Sequence, residues 1–184
     1  MQPPPTAADH ADTLLVVRCQ LGERAAFDAL IRRWAAPLQR YALKLTRDPA
    51  LADDLVQDVW LRAVRGLGRL RDAAQFRPWL FGIAHRTFAD RLRERYAMTV
   101  DADVDWDTFA AVDDDGEDAE DRERALAGGL ERLPLVEREV LTLFYLEALP
   151  LAEIATALGI PTGTVKSRLF RARALLRHHL TAEK

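Results

Sequence analysis

Apolar residues recur at three- and four-residue intervals along most of this chain, and no stretch alternates long enough to read as a convincing strand. Leu14, Leu15 and Val17 begin a short helix that stops near Gly22. Phe27, Leu30, Ile31, Trp34, Leu38, Tyr41 and Leu45 carry the helical period through Lys44, with Pro37 expected to bend or interrupt it. Asp48-Pro49 restarts the chain as an N-cap followed by proline at the first helical position, and this helix runs to about Gly66. Gly66 to Gln75 reads as an exposed loop. The next helix has an apolar stripe of Phe76, Leu80, Ile83, Ala84, Thr87 and Phe88, with Arg77, Arg86, Arg91, Arg93 and Arg95 on its other faces. From Leu126 to Leu180 the pattern is helical again.

Charge then divides the chain. The net charge of −3 hides a strong asymmetry: eleven acids and no Lys or Arg lie between Asp101 and Asp121. The remainder holds 18 acids against 26 basic residues. Binding to a polyanion depends on the local field of a face, so this distribution favours nucleic acid despite the negative total. The acidic stretch has too few large apolar residues to offset its ordering entropy and reads as a flexible linker. Trp106 and Phe109 are its exceptions, and could dock on a partner or a neighbouring domain. The expected organisation is all-α: a disordered tail (1–11), a helical bundle (12–97), the acidic linker (98–121) and a second helical domain (122–181).

The totals exclude several classes. No apolar run reaches the roughly 18 residues of a membrane span. Residues Met1 to Asp12 include Pro3-Pro4-Pro5 and lack the basic-then-apolar order of a signal peptide. A lone Cys19 cannot close an intramolecular disulfide, which fits a cytoplasmic location, and it reads as a small core residue. His10, His85, His178 and His179 lack metal-ligand spacing, and no phosphate loop or nucleophile motif appears. No enzyme, metal or cofactor is expected.

Leu149 to Leu180 has the pattern of a helix-turn-helix. Leu151, Ile154, Ala155 and Leu158 form the inner face of a short helix, and Gly159 stands at the turn, where a left-handed backbone is cheap only for glycine. Ile160 plugs the corner. Val165, Leu169 and Ala172 face inward on the second helix, leaving Thr164, Lys166, Ser167, Arg168, Phe170, Arg171 and Arg173 outside. Arginine pairs two acceptors of guanine, serine donates or accepts, and phenylalanine meets a thymine methyl. Lys166, Ser167, Phe170 and Arg171 are the candidates for base edges, and Arg168 and Arg173 for phosphates. The helix from Leu133-Pro134 through Glu147 supplies Val140, Leu141, Phe144 and Leu146 beneath the motif.

Asp54, Gln57, Asp58 and Leu61 fall at i, i+3, i+4 and i+7, opposite Leu55 and Val59. Pattern alone makes that stripe a solvated face. However, Asp53-Asp54-Leu55-Val56-Gln57-Asp58-Val59-Trp60-Leu61-Arg62-Ala63, with Phe76-Arg77-Pro78-Trp79-Leu80-Phe81-Gly82-Ile83-Ala84, resembles region 2 of bacterial extracytoplasmic-function (ECF) sigma factors. Leu133-Pro134, Arg138-Glu139-Val140-Leu141, Glu153-Ile154-Ala155 and Gly163-Thr164-Val165-Lys166-Ser167-Arg168-Leu169 with Arg171-Ala172-Arg173 resemble region 4 of the same family. The resemblance implies that Asp54, Gln57, Asp58 and Leu61 meet the clamp coiled coil of the largest subunit of core RNA polymerase. It implies that Arg77, Trp79, Arg86, Arg91 and Arg93 serve the opened −10 promoter DNA, where captured bases need aromatic or apolar surface and cations. Trp79 also fits the core beside the Phe76–Leu80–Ile83 stripe. Region 4 would read the −35 duplex, and an anti-sigma factor would be a partner. His85-Arg86 departs from the Arg-Asn common in the family.

Three other readings make different demands. An ordinary helix-turn-helix regulator needs a sensory half, and a sigma-like decoy would not need its basic helix. An enzyme needs a motif the chain lacks.

Overall fold

The computed structural model describes residues 7–97 and 128–182, and the regular elements among them are all helical. The first group comprises α1 (Ala7–Gln20), α2 (Arg24–Thr46), α3 (Pro49–Leu67), a 3₁₀ turn (Ala73–Gln75) and α4 (Phe76–Ala97). The second comprises α5 (Leu135–Leu141), which passes into a π turn (Thr142–Leu146), then α6 (Leu151–Leu158) and α7 (Thr162–Ala182). The acidic stretch from Asp101 to Asp121, with Trp106 and Phe109, lies outside the described residues. No helix among those described is long and apolar enough to cross a membrane.

Two boundaries differ from the sequence reading. The tail was expected through residue 11, yet α1 begins at Ala7. Asp12 explains the extra turn, because its carboxylate is buried, accepts a bond from Trp34 Nε1 at 3.2 Å and pairs with Arg33 at 2.5 Å, tying α1 to α2. Pro37 does not interrupt α2, which is one helix from Arg24 to Thr46. A proline inside a helix costs about 3 kcal/mol. Burial of Trp34, Leu38 and Tyr41 around it offsets that cost at about 1.5–3 kcal/mol for each large apolar side chain.

Local signals set the other ends. Arg47 closes α2 in the left-handed region (φ 55°), its N–H bonding to Leu43 O. Asp48 then caps α3 as expected, accepting from Ala50 N at 2.8 Å and Leu51 N at 3.2 Å. Gly159 ends α6 at φ 65°, and Ile160 N bonds to Ala155 O, so the tight corner falls where glycine permits it.

The aromatic centre of the first unit is an edge-to-face series, with ring centroids 6.0 Å apart for Trp34–Phe76 and Trp34–Phe81 and 5.4 Å for Tyr41–Phe81. The same apolar core continues through α5 and α6 by way of Val140, Leu143, Leu149, Ile154 and Ala157. The two units are therefore packed face to face, with α4 against α6. Gly82 marks the closest approach, since a Cβ there would lie 3.1 Å from the carbonyl oxygen of Ala157. A smaller cluster of Leu130, Leu133, Leu141 and Ala172 joins α5 to α7.

Candidate nucleic-acid interface

Helix α7 divides as its pattern requires. Val165, Leu169 and Ala172 are buried, while Lys166, Ser167 and Phe170 are exposed, Phe170 at 76%. A phenylalanine this exposed, with no apolar neighbour covering it among the described residues, suits contact with a base better than contact with water. Ser167 Oγ donates to Thr164 O at 3.0 Å, which leaves its lone pairs facing outward.

The cations beside this face are less uniform than the sequence implied. Arg171 Nε lies 2.8 Å from Oε1 of Glu137, a carboxylate only 1% exposed, so Arg171 ties α7 to α5. Arg173 Nε donates to Tyr145 Oη at 2.8 Å, and its guanidinium lies over the Phe144 and Tyr145 rings at 5.6 and 5.4 Å. Thr164 and Arg168 are half-buried.

On α3, Asp54, Gln57 and Leu61 are exposed and Asp58 is half-buried. The acidic stripe is braced from α4. Arg91 donates to Asp58 Oδ2 through Nε at 3.0 Å and Nη2 at 2.5 Å, and Nη2 also reaches the Asp54 carbonyl at 3.2 Å. Arg91, a candidate for promoter DNA in the sequence, is paired with the α3 carboxylates in the free chain. Asp90 similarly takes Arg62 at 2.9 Å and Arg93 at 3.0 Å.

The remaining α4 candidates separate in the same way. Arg77 donates to the backbone carbonyl of Glu147 and lies 5.9 Å over the Trp34 ring, turned into the contact between units. Trp79 stacks obliquely on Phe76 at 5.9 Å and fills the space beside Gly66, where a Cβ would approach its Cζ2 to 3.0 Å. That is the core role its neighbours implied. Arg86 and Arg93 are exposed.

The residues missed by sequence reasoning lie between the units. Tyr41 Oη donates to Glu139 Oε1, and His85 Nδ1 lies 2.8 Å from the same oxygen. Arg40 holds Glu147 at 3.0 Å, and Arg138 Nη2 reaches Leu45 O at 3.3 Å. Burial raises the Glu147 carboxyl above its usual range, even with Arg40 and Arg77 opposing. Burial, with Arg47 nearby, lowers Arg138 to about 10. Burial also raises the thiol of half-buried Cys19, keeping it in the less reactive protonated form. Glu137, Arg138 and Glu139 sit on an otherwise surface-like polar run, so only their place in a short helix between apolar residues hinted at burial.

This arrangement, a bundle with a braced acidic stripe beside a helix-turn-helix, has counterparts among known proteins. Residues 30–97 match the family model for sigma-70 region 2, and residues 123–176 match that for sigma-70 region 4. The chain is 33% identical over 173 residues to the RNA polymerase sigma-H factor of Pseudomonas aeruginosa, covering 88% of this chain and 90% of that protein. It is 36% identical over 168 residues to the ECF RNA polymerase sigma factor SigM of Mycobacterium tuberculosis, covering 91% and 84%. The chain belongs to the ECF group of the sigma-70 family. Among solved structures, CnrH in complex with the cytosolic domain of CnrY matches this sigma factor with a TM-score of 0.69 and 26% identity, covering 95% of this chain and 99% of that one. RpoE of Bartonella quintana, solved with the anti-sigma factor NepR, shares the fold with a TM-score of 0.68 at 24% identity, covering 86% and 98%. In family terms α4 belongs to region 2, and α5 to α7 belong to region 4.

Proposed function

We propose that this chain is an alternative sigma factor that binds core RNA polymerase through region 2 and carries it to a subset of promoters. The observation that carries this reading is an exposed Lys166–Ser167–Phe170 face on a helix-turn-helix within an ECF-group chain. Those side chains suit the −35 duplex: a cation, a hydroxyl and an aromatic ring for base edges. Arg171 and Arg173 serve it by fixing α7, and by adding positive field around the groove. The Asp54, Gln57, Asp58 and Leu61 stripe, braced by Arg91, is the surface for the clamp coiled coil. Arg86 and Arg93 are the exposed cations for the melted −10 strand, Arg93 once it leaves Asp90, with Arg77 joining them once the units part.

One helix-turn-helix reads a short site, which suffices when polymerase holds a second reader at a set distance. The polymerase supplies the chemistry, so no catalytic role falls to this chain, and it works in the cytoplasm beside the DNA. An anti-sigma factor is the expected regulator; the complex of CnrH with CnrY supports a partner that engages a folded relative.

Run-off transcription with core polymerase and a genomic promoter library tests the reading. A selected set of transcripts that depends on this chain is expected. Folded protein that yields no selected transcript overturns it.

A further inference from the structure

The contact between the two units has a polar centre built from three helices. Glu139 of α5 is 5% exposed, and its Oε1 receives the hydroxyl of fully buried Tyr41 from α2. His85 of α4 meets the same oxygen through Nδ1 at 2.8 Å. A buried carboxylate is tolerated when hydrogen bonds and a cation compensate its lost hydration, and His85, when protonated, is a cation that reaches Glu139 directly. The surrounding contacts are Arg40 with Glu147, Arg77 with the Glu147 carbonyl, and Arg138 with the Leu45 carbonyl. Arginines keep their charge at physiological pH, whereas a histidine does not.

We propose that His85, Glu139 and Tyr41 form a proton-operated latch between region 2 and region 4. The imidazolium holds region 4 closed over α4, and loss of its proton loosens the contact.

The direction follows from the groups around His85. Burial disfavours its charged form, but the hydrogen bond and charge of Glu139 act the other way; Arg86 on its own helix and Arg168 from α7 oppose them. The net effect raises His85 above its ordinary value in the closed chain. An opened chain loses Glu139 and returns His85 toward that ordinary value. The proton's contribution to closure is therefore full below the ordinary histidine value and lost as pH rises through the raised one. Acid closes the chain and alkali opens it. Tyr41 stays protonated throughout, because burial and the Glu139 charge push it well above its usual range. Closure covers the Gly82–His85 face of α4 with α6, so on the sigma reading acid withdraws the −10 helix from DNA.

The latch is measurable on the full chain without polymerase or DNA, which separates its failure from that of the functional reading. Dyes on Arg69→Cys and Ala174→Cys, in a Cys19→Ser background, report closure by energy transfer. Transfer should fall as pH rises from about 6 to about 8, bracketing the histidine range. His85→Gln and Glu139→Gln should each flatten that profile, the latter while keeping an acceptor for Tyr41. A flat profile in the parent chain, or an unchanged slope in His85→Gln, overturns the latch. Gly82→Leu guards against loss of folding at the buried carboxyl. Leucine favours α4 as a helix but collides with the Ala157 carbonyl. That variant should keep its far-ultraviolet helical signal and show low transfer at every pH. High transfer in it overturns the closed contact itself.

Discussion

Helices α4 and α7 are both long and rich in arginine, but their cations face different things. On α4, Arg77 turns to a backbone carbonyl of the other unit, Arg91 to Asp58, and Arg93 to Asp90. On α7, Arg171 and Arg173 hold α5 and the π turn, and they flank an open face of Lys166, Ser167 and Phe170. A basic helix is thus no single signal. A guanidinium satisfies a protein acceptor as readily as a phosphate, and only the neighbouring elements decide which it meets.

The sharpest way to break this comparison is to remove one phenyl ring from each helix. Phe81 of α4 is fully buried between Trp34 and Tyr41, and Phe170 of α7 is largely exposed. Phe81→Ala should cost about 3–5 kcal/mol in urea unfolding, the range for emptying a core aromatic site. Phe170→Ala should move stability by no more than about 0.5 kcal/mol, while weakening binding to −35 duplex by roughly tenfold, the loss of one base contact. Equal destabilisation by the two changes would remove the distinction. Unchanged duplex binding by Phe170→Ala would take that ring out of the reader.

A smaller effect is expected at Arg171, where structure and function overlap. Arg171→Ala strands the buried Glu137 carboxylate, an omission that costs about 1–3 kcal/mol when a buried polar partner is lost. Weakened DNA binding in that variant would therefore not identify a base contact by itself. Glu137→Gln paired with Arg171→Ala separates the roles. If Arg171 only braces α7, the pair should recover stability and DNA affinity together, as seen by melting and by a duplex titration. Recovery of stability without affinity would return Arg171 to the DNA.

Much of this was legible in the sequence because it depends on local rules. The Asp48-Pro49 cap, the Gly159 corner and the Val165–Leu169–Ala172 inner face all follow from backbone sterics and helical period, which neighbours in sequence specify. The contact between units was not legible. Tyr41 and Glu139 are 98 positions apart, and Arg77 and Glu147 are 70 apart, so no periodicity relates them. Read locally, Arg77 and Arg91 were cations on outer faces. His85 gave one hint, as a departure from the resembled family's pattern at the position that meets Glu139, and the polar run of Glu137 to Glu139 between apolar residues gave another.

The smallest expected effect bears on Ser167, at the edge of the open α7 face. Its hydroxyl donates to Thr164 O in the free chain, a bond that competes only weakly with the helix's own ladder. Ser167→Ala should therefore leave stability unchanged or raise it by about 0.5 kcal/mol, since alanine is the better helix former. If the hydroxyl rotates to a base edge on binding, the same change removes one neutral hydrogen bond, worth about 0.5–1.5 kcal/mol. Duplex affinity should then fall by roughly three- to tenfold at one base pair, and not uniformly across sites. A uniform loss at every position would make Ser167 a phosphate contact. No loss would confine base reading to the Phe170 side of the helix, leaving α7 with a narrower open face and a larger share of structural residues than α4's contrast implies.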